Sequence, residues 1–329
     1  MLEHHRIVLM FSGQGSQYYK MGQAFFDGDA RFRSTLLELD DIAKHYVGHS
    51  IVDVLYDKRR KKEEPFEAIT STSAAIFMIE YALVHVLLDD GLKPDYLLAA
   101  SMGLYAAAAT AGALEPRDVL ECISKASAVY EAHCPRGAMI AIFGSPTLHR
   151  DLHVLHERSD IAAVNFDSHF VIATIQRHVS EITATLDRNG IAFQTIPVSY
   201  PFHSRWLNSA SDAAQAILGT LRCRQPTIPI ICCSRAAVID DISPVAIWNA
   251  IREPIQFRQT IANLEARGPC YYVDVGPAGT LATFLKYSLP PTSASRTFSI
   301  LSPFAADLKN YQRLIAAREL FADRSVSEI

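Results

Sequence analysis

Near the middle of the chain the apolar pattern changes rhythm in a way few folds can absorb. Met139–Phe143 reads as a strand and Leu148–His156 as a helix. Ala162–Asn165 and Phe170–Ile175 read as strands, Ser180–Asn189 as a helix and Ala192–Val198 as a strand. That order, β-α-β-β-α-β, is a ferredoxin-like unit. It is far too short to account for 329 residues. Strands alternating with helices stand on both sides of it, so the unit reads as a small domain, 137–198, inserted into a larger one made of 1–136 and 199–329.

In the flanks, Arg6–Phe11 is a short apolar strand halted by Ser12-Gly13-Gln14-Gly15-Ser16, and helical spacing continues to about Tyr56. Ile69–Asp89 is a strongly apolar helix with Thr70 or Ser71 as its expected cap. Tyr96–Ala100, Ile228–Cys232 and Cys270–Val275 are further strands, which together predict a mostly parallel sheet covered on both faces. The uncharged stretch Tyr96–Leu114 is long enough to suggest a membrane span, but it divides at Ser101-Met102-Gly103 into a strand and a buried helix. Hydrophobic residues make up 49% and charged residues 20%, the balance of an ordered globular protein. A net charge of −4 gives no field that would draw nucleic acid or anionic lipid. The run Asp57–Glu64 mixes both signs and reads as a solvated loop. Six cysteines, none in a CxxC pair, are expected to be reduced thiols of a cytoplasmic protein. The N-terminal apolar run is too short for a secretion signal.

Three places carry residues suited to chemistry. Ala99-Ala100-Ser101-Met102-Gly103 has the form small-x-Ser-x-Gly between a strand and a helix, a sharp turn that lifts a serine hydroxyl clear of the backbone. The following helix aims its N-terminal N–H groups at any oxyanion formed there. Taken alone, the pattern also fits a buried structural serine. Gly13-Gln14-Gly15-Ser16-Gln17 can turn several N–H groups inward, although the GKS/GKT ending of a phosphate loop is missing. Val198-Ser199-Tyr200-Pro201-Phe202-His203-Ser204 places a histidine after an aromatic at a strand end. His149, His153 and His156 could line one helix face as metal ligands, but an exposed helix is the simpler reading; neither a metal nor a cofactor is expected.

Together these pieces resemble the malonyl-CoA:acyl-carrier-protein transacylases, the acyltransferase enzymes and domains of fatty acid and polyketide synthesis. The resemblance runs nearly the whole length, through Gly13–Gln17, Ser101, Ala111–Leu114, Gly137-Ala138-Met139, Val164-Asn165, Pro201–Ser204, Pro254-Ile255-Gln256-Phe257 and Asp274-Val275-Gly276-Pro277. It implies an α/β-hydrolase-like large domain with a ferredoxin-like small one. It also implies that Ser101 attacks an acyl thioester, with His203 as general base. By the same resemblance a backbone carbonyl near Ala250 orients His203, the N–H groups of Gln14 and Met102 form the oxyanion hole, and Asn165 supports the site. The implied partner is an acyl carrier protein bearing a phosphopantetheine-bound acyl group, beside a polyketide synthase, with acyl-CoA as a further candidate donor.

Where the sequence departs from that pattern, its selectivity should change. The family's usual Gly-His-Ser-x-Gly-Glu is here Ala99-Ala100-Ser101-Met102-Gly103-Leu104. Twenty-five positions after the serine, where malonyl-selective members carry a carboxylate-clamping arginine, stands Ala126. Leaving a buried carboxylate unpaired costs about 2–5 kcal/mol, or roughly 30- to 4,000-fold in binding. A pocket that disfavours malonyl and accepts uncharged acyl chains is therefore expected, lined in part by Tyr200 and Phe202, unless Arg205 or Lys125 supplies the cation. Discharge of the acyl-serine by water, an editing hydrolase acting in trans, is preferred slightly over transfer to a second carrier. Leu104 and Ala126, as a drier wall, argue weakly for transfer. A malonyl transacylase, a docking protein without activity and a small-ester hydrolase remain as alternatives.

Overall fold

The computed structural model describes residues 5–304 and 306–317. Ten strands follow in chain order: β1 (Arg6–Phe11), β2 (Tyr96–Ala99), β3 (Gly137–Ile142), β4 (Asp160–Phe166), β5 (His169–Ile175), β6 (Phe193–Ile196), β7 (Ile230–Cys232), β8 (Ala237–Ile239), β9 (Cys270–Asp274) and β10 (Arg296–Ser299). Six of them form one sheet in the order β10-β9-β1-β2-β7-β8, parallel except for the last pair. The central strand β1 is buried on both faces. Ile7, Leu9 and Phe11 join the larger apolar core, while Val8 and Met10 join a second core on the opposite side. A continuous apolar run with a two-residue side-chain alternation gives this doubly covered arrangement.

The second sheet runs β4-β5-β3-β6 and is antiparallel throughout. One face of β3 sends Ala138, Ile140 and Ile142 against Leu155, Ile182 and Leu186 of the helices behind it. The other face presents Met139 and Ala141, and with Ala163 and Val171 these form one wall of a cleft. The two sheets are clasped by the 254–257 segment: Val164 N–H donates to Ile255 C=O and Ile255 N–H to Ala162 C=O, each at 2.8 Å. The chain has the two-part α/β architecture, with a mostly parallel sheet and a smaller antiparallel one, expected from its sequence.

The helix Ile69–Asp89 has those bounds, but it is capped by Ala68 rather than by Thr70 or Ser71; Thr72 instead returns its hydroxyl to Ile69 C=O. It is long and apolar enough to cross a membrane, and 83% of its most apolar window lies buried inside the protein, as befits a core helix. The 148–156 helix is broken at Leu152 into Leu148–Asp151 and His153–Arg158, and His149 is taken up by Ser159 C=O at 3.3 Å. The three histidines therefore do not share one continuous helix face. The strands β8 and β10 are not legible in the sequence, because they are the edges of the large sheet and nowhere fully buried, so burial imposes no apolar run on them.

Candidate active site

Ser101 stands on the turn between β2 and the helix Gly103–Thr110 with φ of 58°, a left-handed conformation that an L-residue adopts only when its surroundings impose it. What imposes it is the packing of Gly103. A methyl group there would lie 2.4 Å from Phe11 C=O and 2.7 Å from Ser12 C=O, so only glycine lets the helix start this close to the end of β1. Gly13 has the matching role on the opposing loop, where a methyl group would meet Ser101 Cβ at 2.9 Å. The two glycines bring the loop after β1 and the serine turn into contact.

His203 reaches Ser101 from a sequence distance of 102 residues: Ser101 Oγ and His203 Nε2 lie 2.8 Å apart. On the other side of the ring, Nδ1 donates to the backbone carbonyl of Glu253 at 2.7 Å. A carbonyl only accepts, so Nδ1 carries the ring proton and Nε2 offers its lone pair to the serine hydroxyl. The carbonyl is that of Glu253 and not of Ala250, which lies inside the helix Pro244–Arg252. Carbonyls within a helix point along its axis; Glu253 caps the helix in extended backbone (φ −83°, ψ 153°) and is thereby free to turn toward the histidine. Burial pushes the pKa of His203 down to about 4, against the pull of the Glu253 hydrogen bond, so the ring is neutral at physiological pH and can accept a proton.

Met102 and Gln14 both line the cleft with Ser101, one from the turn and one from the loop after β1, and among the described residues neither of their backbone N–H groups donates to a protein acceptor. The Gln14 side chain is anchored away from them, its Nε2 donating to Thr72 Oγ1 and Ser73 Oγ at 3.0 and 2.7 Å. Such a pair of free donors next to a hydroxyl held by a neutral imidazole is a geometry suited to acyl transfer.

The cleft around Ser101 has a volume of about 310 Å³. Ala126, 4% exposed, forms its wall together with Ile123, Ser127 and Tyr130 from the helix Pro116–His133. Phe202 lines it from the His203 segment. Among the described residues, no lysine, arginine, aspartate or glutamate lines the cleft. Both candidate substitutes for the missing cation lie outside: Lys125 pairs with Glu121 at 2.5 Å on the exposed side of its helix, and Arg205 pairs with Asp160 at 3.5 Å.

Two expected lining residues are displaced. Tyr200 packs edge-on against Phe202 and under the Arg136 guanidinium, one layer behind the cleft surface. Leu104 is 1% exposed and belongs to the core, so the apolar character of the cleft comes from Ala126 and Ile123 and not from Leu104. Asn165 does line the cleft, and it donates from Nδ2 to Nδ1 of His169 at 3.0 Å. His169 also lines the cleft, stacked on Phe166 and packed against Phe284, with its pKa lowered by burial. The sequence reading missed it; its one signal was a position four residues after Asn165, across the β4–β5 turn.

A family model described as the acyl transferase domain matches residues 8–323. The chain belongs to the acyl transferase domain family. This acyl transferase is 40% identical over 304 residues to the polyketide biosynthesis acyltransferase homolog PksD of Bacillus subtilis (strain 168), covering 92% of this chain and 94% of that one. It is 39% identical to the polyketide biosynthesis acyltransferase homolog BaeD of Bacillus velezensis, over 94% of this chain and 95% of its relative. Among solved structures, a loading acyltransferase from the avermectin modular polyketide synthase superposes with a TM-score of 0.86 at 21% identity, covering 95% and 99% of the two chains. FabD from Acinetobacter baumannii superposes with a TM-score of 0.82 at 23% identity, covering 97% and 100%. At such identities the structural likenesses speak for the fold.

Proposed function

We propose that this acyl transferase carries uncharged acyl groups, taken from the phosphopantetheine thioester of an acyl carrier protein in polyketide biosynthesis, as an ester on Ser101. The observation that carries this reading is the uncharged wall of the cleft at Ala126. A malonyl carboxylate placed there would lose its water and gain no cation, at a cost of about 2–5 kcal/mol. A hydrocarbon chain would instead bury apolar surface against Ala126, Ile123 and Phe202 at about 25 cal/mol per Å².

In the first step Ser101 Oγ attacks the thioester carbonyl while His203 Nε2 takes the hydroxyl proton. Main-chain N–H groups of Met102 and Gln14 stabilise the tetrahedral oxyanion. The C–S bond then breaks as His203 returns its proton to the departing pantetheine thiolate, leaving the acyl-serine. In the second step His203 removes a proton from water, and hydrolysis regenerates the serine with release of a carboxylic acid. Polar groups around the cleft, among them Asn165, Gln194 and Ser73, give such a water hydrogen-bonding positions and support this discharge. Transfer to the thiol of a second carrier is the second reading, supported by the apolar wall on the acyl side and by relatives named as acyltransferase homologs.

Intact-protein mass measurement over time tests both steps. Incubation with malonyl-, acetyl- and butyryl-loaded carrier protein should give an adduct on Ser101 from the neutral acyl groups, and the adduct should decay without a second carrier. Preferential malonylation would overturn the substrate assignment. A neutral adduct that persists until a second carrier is added would establish transfer.

A further inference from the structure

The catalytic scheme leaves the fully buried acid Glu80 unused. Glu80 sits in the middle of the apolar core helix Ile69–Asp89 with no exposed surface. Its Oε1 accepts the backbone N–H of Ser12 at 2.8 Å and lies 2.9 Å from Ser12 Oγ, while Oε2 has no hydrogen-bond partner among the described residues. An apolar side chain would fill that place at lower cost, because a buried carboxyl with one empty oxygen loses hydration it never recovers. What Glu80 gains in return is a hold on Ser12.

Ser12 is the first residue after β1 and lies two positions before Gln14. Its hydroxyl is 3.0 Å from Ser16 Oγ, and Ser16 Oγ–H donates to Gly13 C=O at 2.8 Å. The chain Glu80–Ser12–Ser16–Gly13 thus closes the loop on itself around Gln14. The same core helix grips the loop a second time about two turns nearer its start, through Thr72 and Ser73 to the Gln14 amide. Seven residues of helix separate Ser73 from Glu80, about 10 Å. Two anchors that far apart on one rigid element fix both the position and the tilt of the loop. Burial, and secondarily the nearby carboxylate of Asp274, pushes Glu80 well above the usual carboxylate range.

We propose that Glu80 is a positioning residue for the acylation step: through Ser12, Ser16 and Gly13 it sets the loop that presents the Gln14 N–H to the forming oxyanion. This rests on the reading of Ser101 as the acylated residue and Gln14 as an oxyanion donor. Loss of one such donor lowers turnover by about 10²–10³-fold, so a donor displaced but not removed should cost about 10- to 100-fold.

The test uses the full chain with Glu80→Met, which keeps the volume and removes the hydrogen bonds, and Glu80→Gln, which keeps an acceptor for Ser12. Acylation of Ser101 by butyryl-loaded carrier is followed by mass, and inhibition is measured with a pantetheine trifluoromethyl ketone, which binds serine enzymes as a tetrahedral oxyanion. Glu80→Met should lower the acylation rate constant about 10- to 100-fold with KM within about twofold, and weaken the ketone by the same factor. Glu80→Gln should restore both to within about fivefold of the parent protein. A Glu80→Met protein that acylates at the parental rate, or that changes KM alone, overturns the inference. If Glu80→Met fails to fold, Ser12→Ala decides instead: a folded Ser12→Ala protein with undiminished acylation and ketone affinity refutes the chain of bonds. Should the parent protein never be acylated at Ser101, the functional reading falls and takes this inference with it; a parent that is acylated and a Glu80→Met variant that matches it sink only the role of Glu80.

Discussion

Substituting Ala126 by arginine asks the most direct question of this cleft. Residue 126 is 4% exposed and lies on the same wall as Ile123, Ser127 and Tyr130, and among the described residues no lysine, arginine, aspartate or glutamate lines the space in front of it. A guanidinium entering a cleft of about 310 Å³ therefore meets no carboxylate of the protein. Unpaired, it should weaken folding, because a buried charge without a partner is costly. With a malonyl group in the cleft, two unit charges about 4 Å apart attract by about 4 kcal/mol at an effective dielectric near 20. Desolvation removes part of that, and a net gain of about 2–5 kcal/mol is expected. The ratio of malonyl to butyryl loading on Ser101 should then rise by roughly 30- to 4,000-fold. The assay is a competition between malonyl-CoA and butyryl-CoA read by intact mass, with thermal melting in the presence and absence of malonyl-CoA. Melting should shift upward with malonyl-CoA in the variant alone. An Ala126→Arg protein that folds and takes butyryl, yet moves the ratio by less than about threefold, would refute the view that this wall sets the acyl preference.

The remaining tests probe the catalytic pair and its frame. Because burial lowers His203 to about 4, the acid limb of kcat/KM should have its midpoint near there and not at the ordinary imidazole value; a limb at about 6.5 would contradict the buried neutral ring. The same depression makes His203 stabilising above its unfolded pKa, with about 3 kcal/mol of folding stability lost as pH falls from about 6.5 to about 4, which urea titrations against His203→Gln would reveal. Glu253→Ala should keep kcat within a few-fold, since His203 is held by the main-chain carbonyl and the Glu253 side chain is exposed; a 100-fold loss would show that a carboxylate is needed after all. Gly103→Ala and Gly13→Ala should fail differently. The first drives a methyl group into backbone and should cost stability, about 2–3 kcal/mol by urea unfolding. The second presses on Ser101 itself and should cut acylation about 100-fold with a smaller effect on unfolding.

Much of this protein was readable one residue at a time. The apolar runs of β1, β2 and β9, the core helix Ile69–Asp89 and the β-α-β-β-α-β order of the small sheet are local signals, because each depends on a period of 2 or 3.6 residues within one stretch of chain. The small-x-Ser-x-Gly turn belongs with them: its glycine answers to the backbone of Phe11 a few ångströms away, and its residue types announce the turn before any partner is known. Which carbonyl holds His203 could not be read that way, since it depends on where the helix Pro244–Arg252 ends in space, and the carbonyl just past that end, of Glu253, lies three residues beyond Ala250. The placing of Tyr200 behind Phe202, Leu104 in the core and His169 at the cleft likewise follows from how two sheets pack across the 254–257 clasp. Composition along the chain determines which faces must be buried; only the folded molecule decides which buried side chain meets the substrate, because that is set by contacts between segments a hundred residues apart.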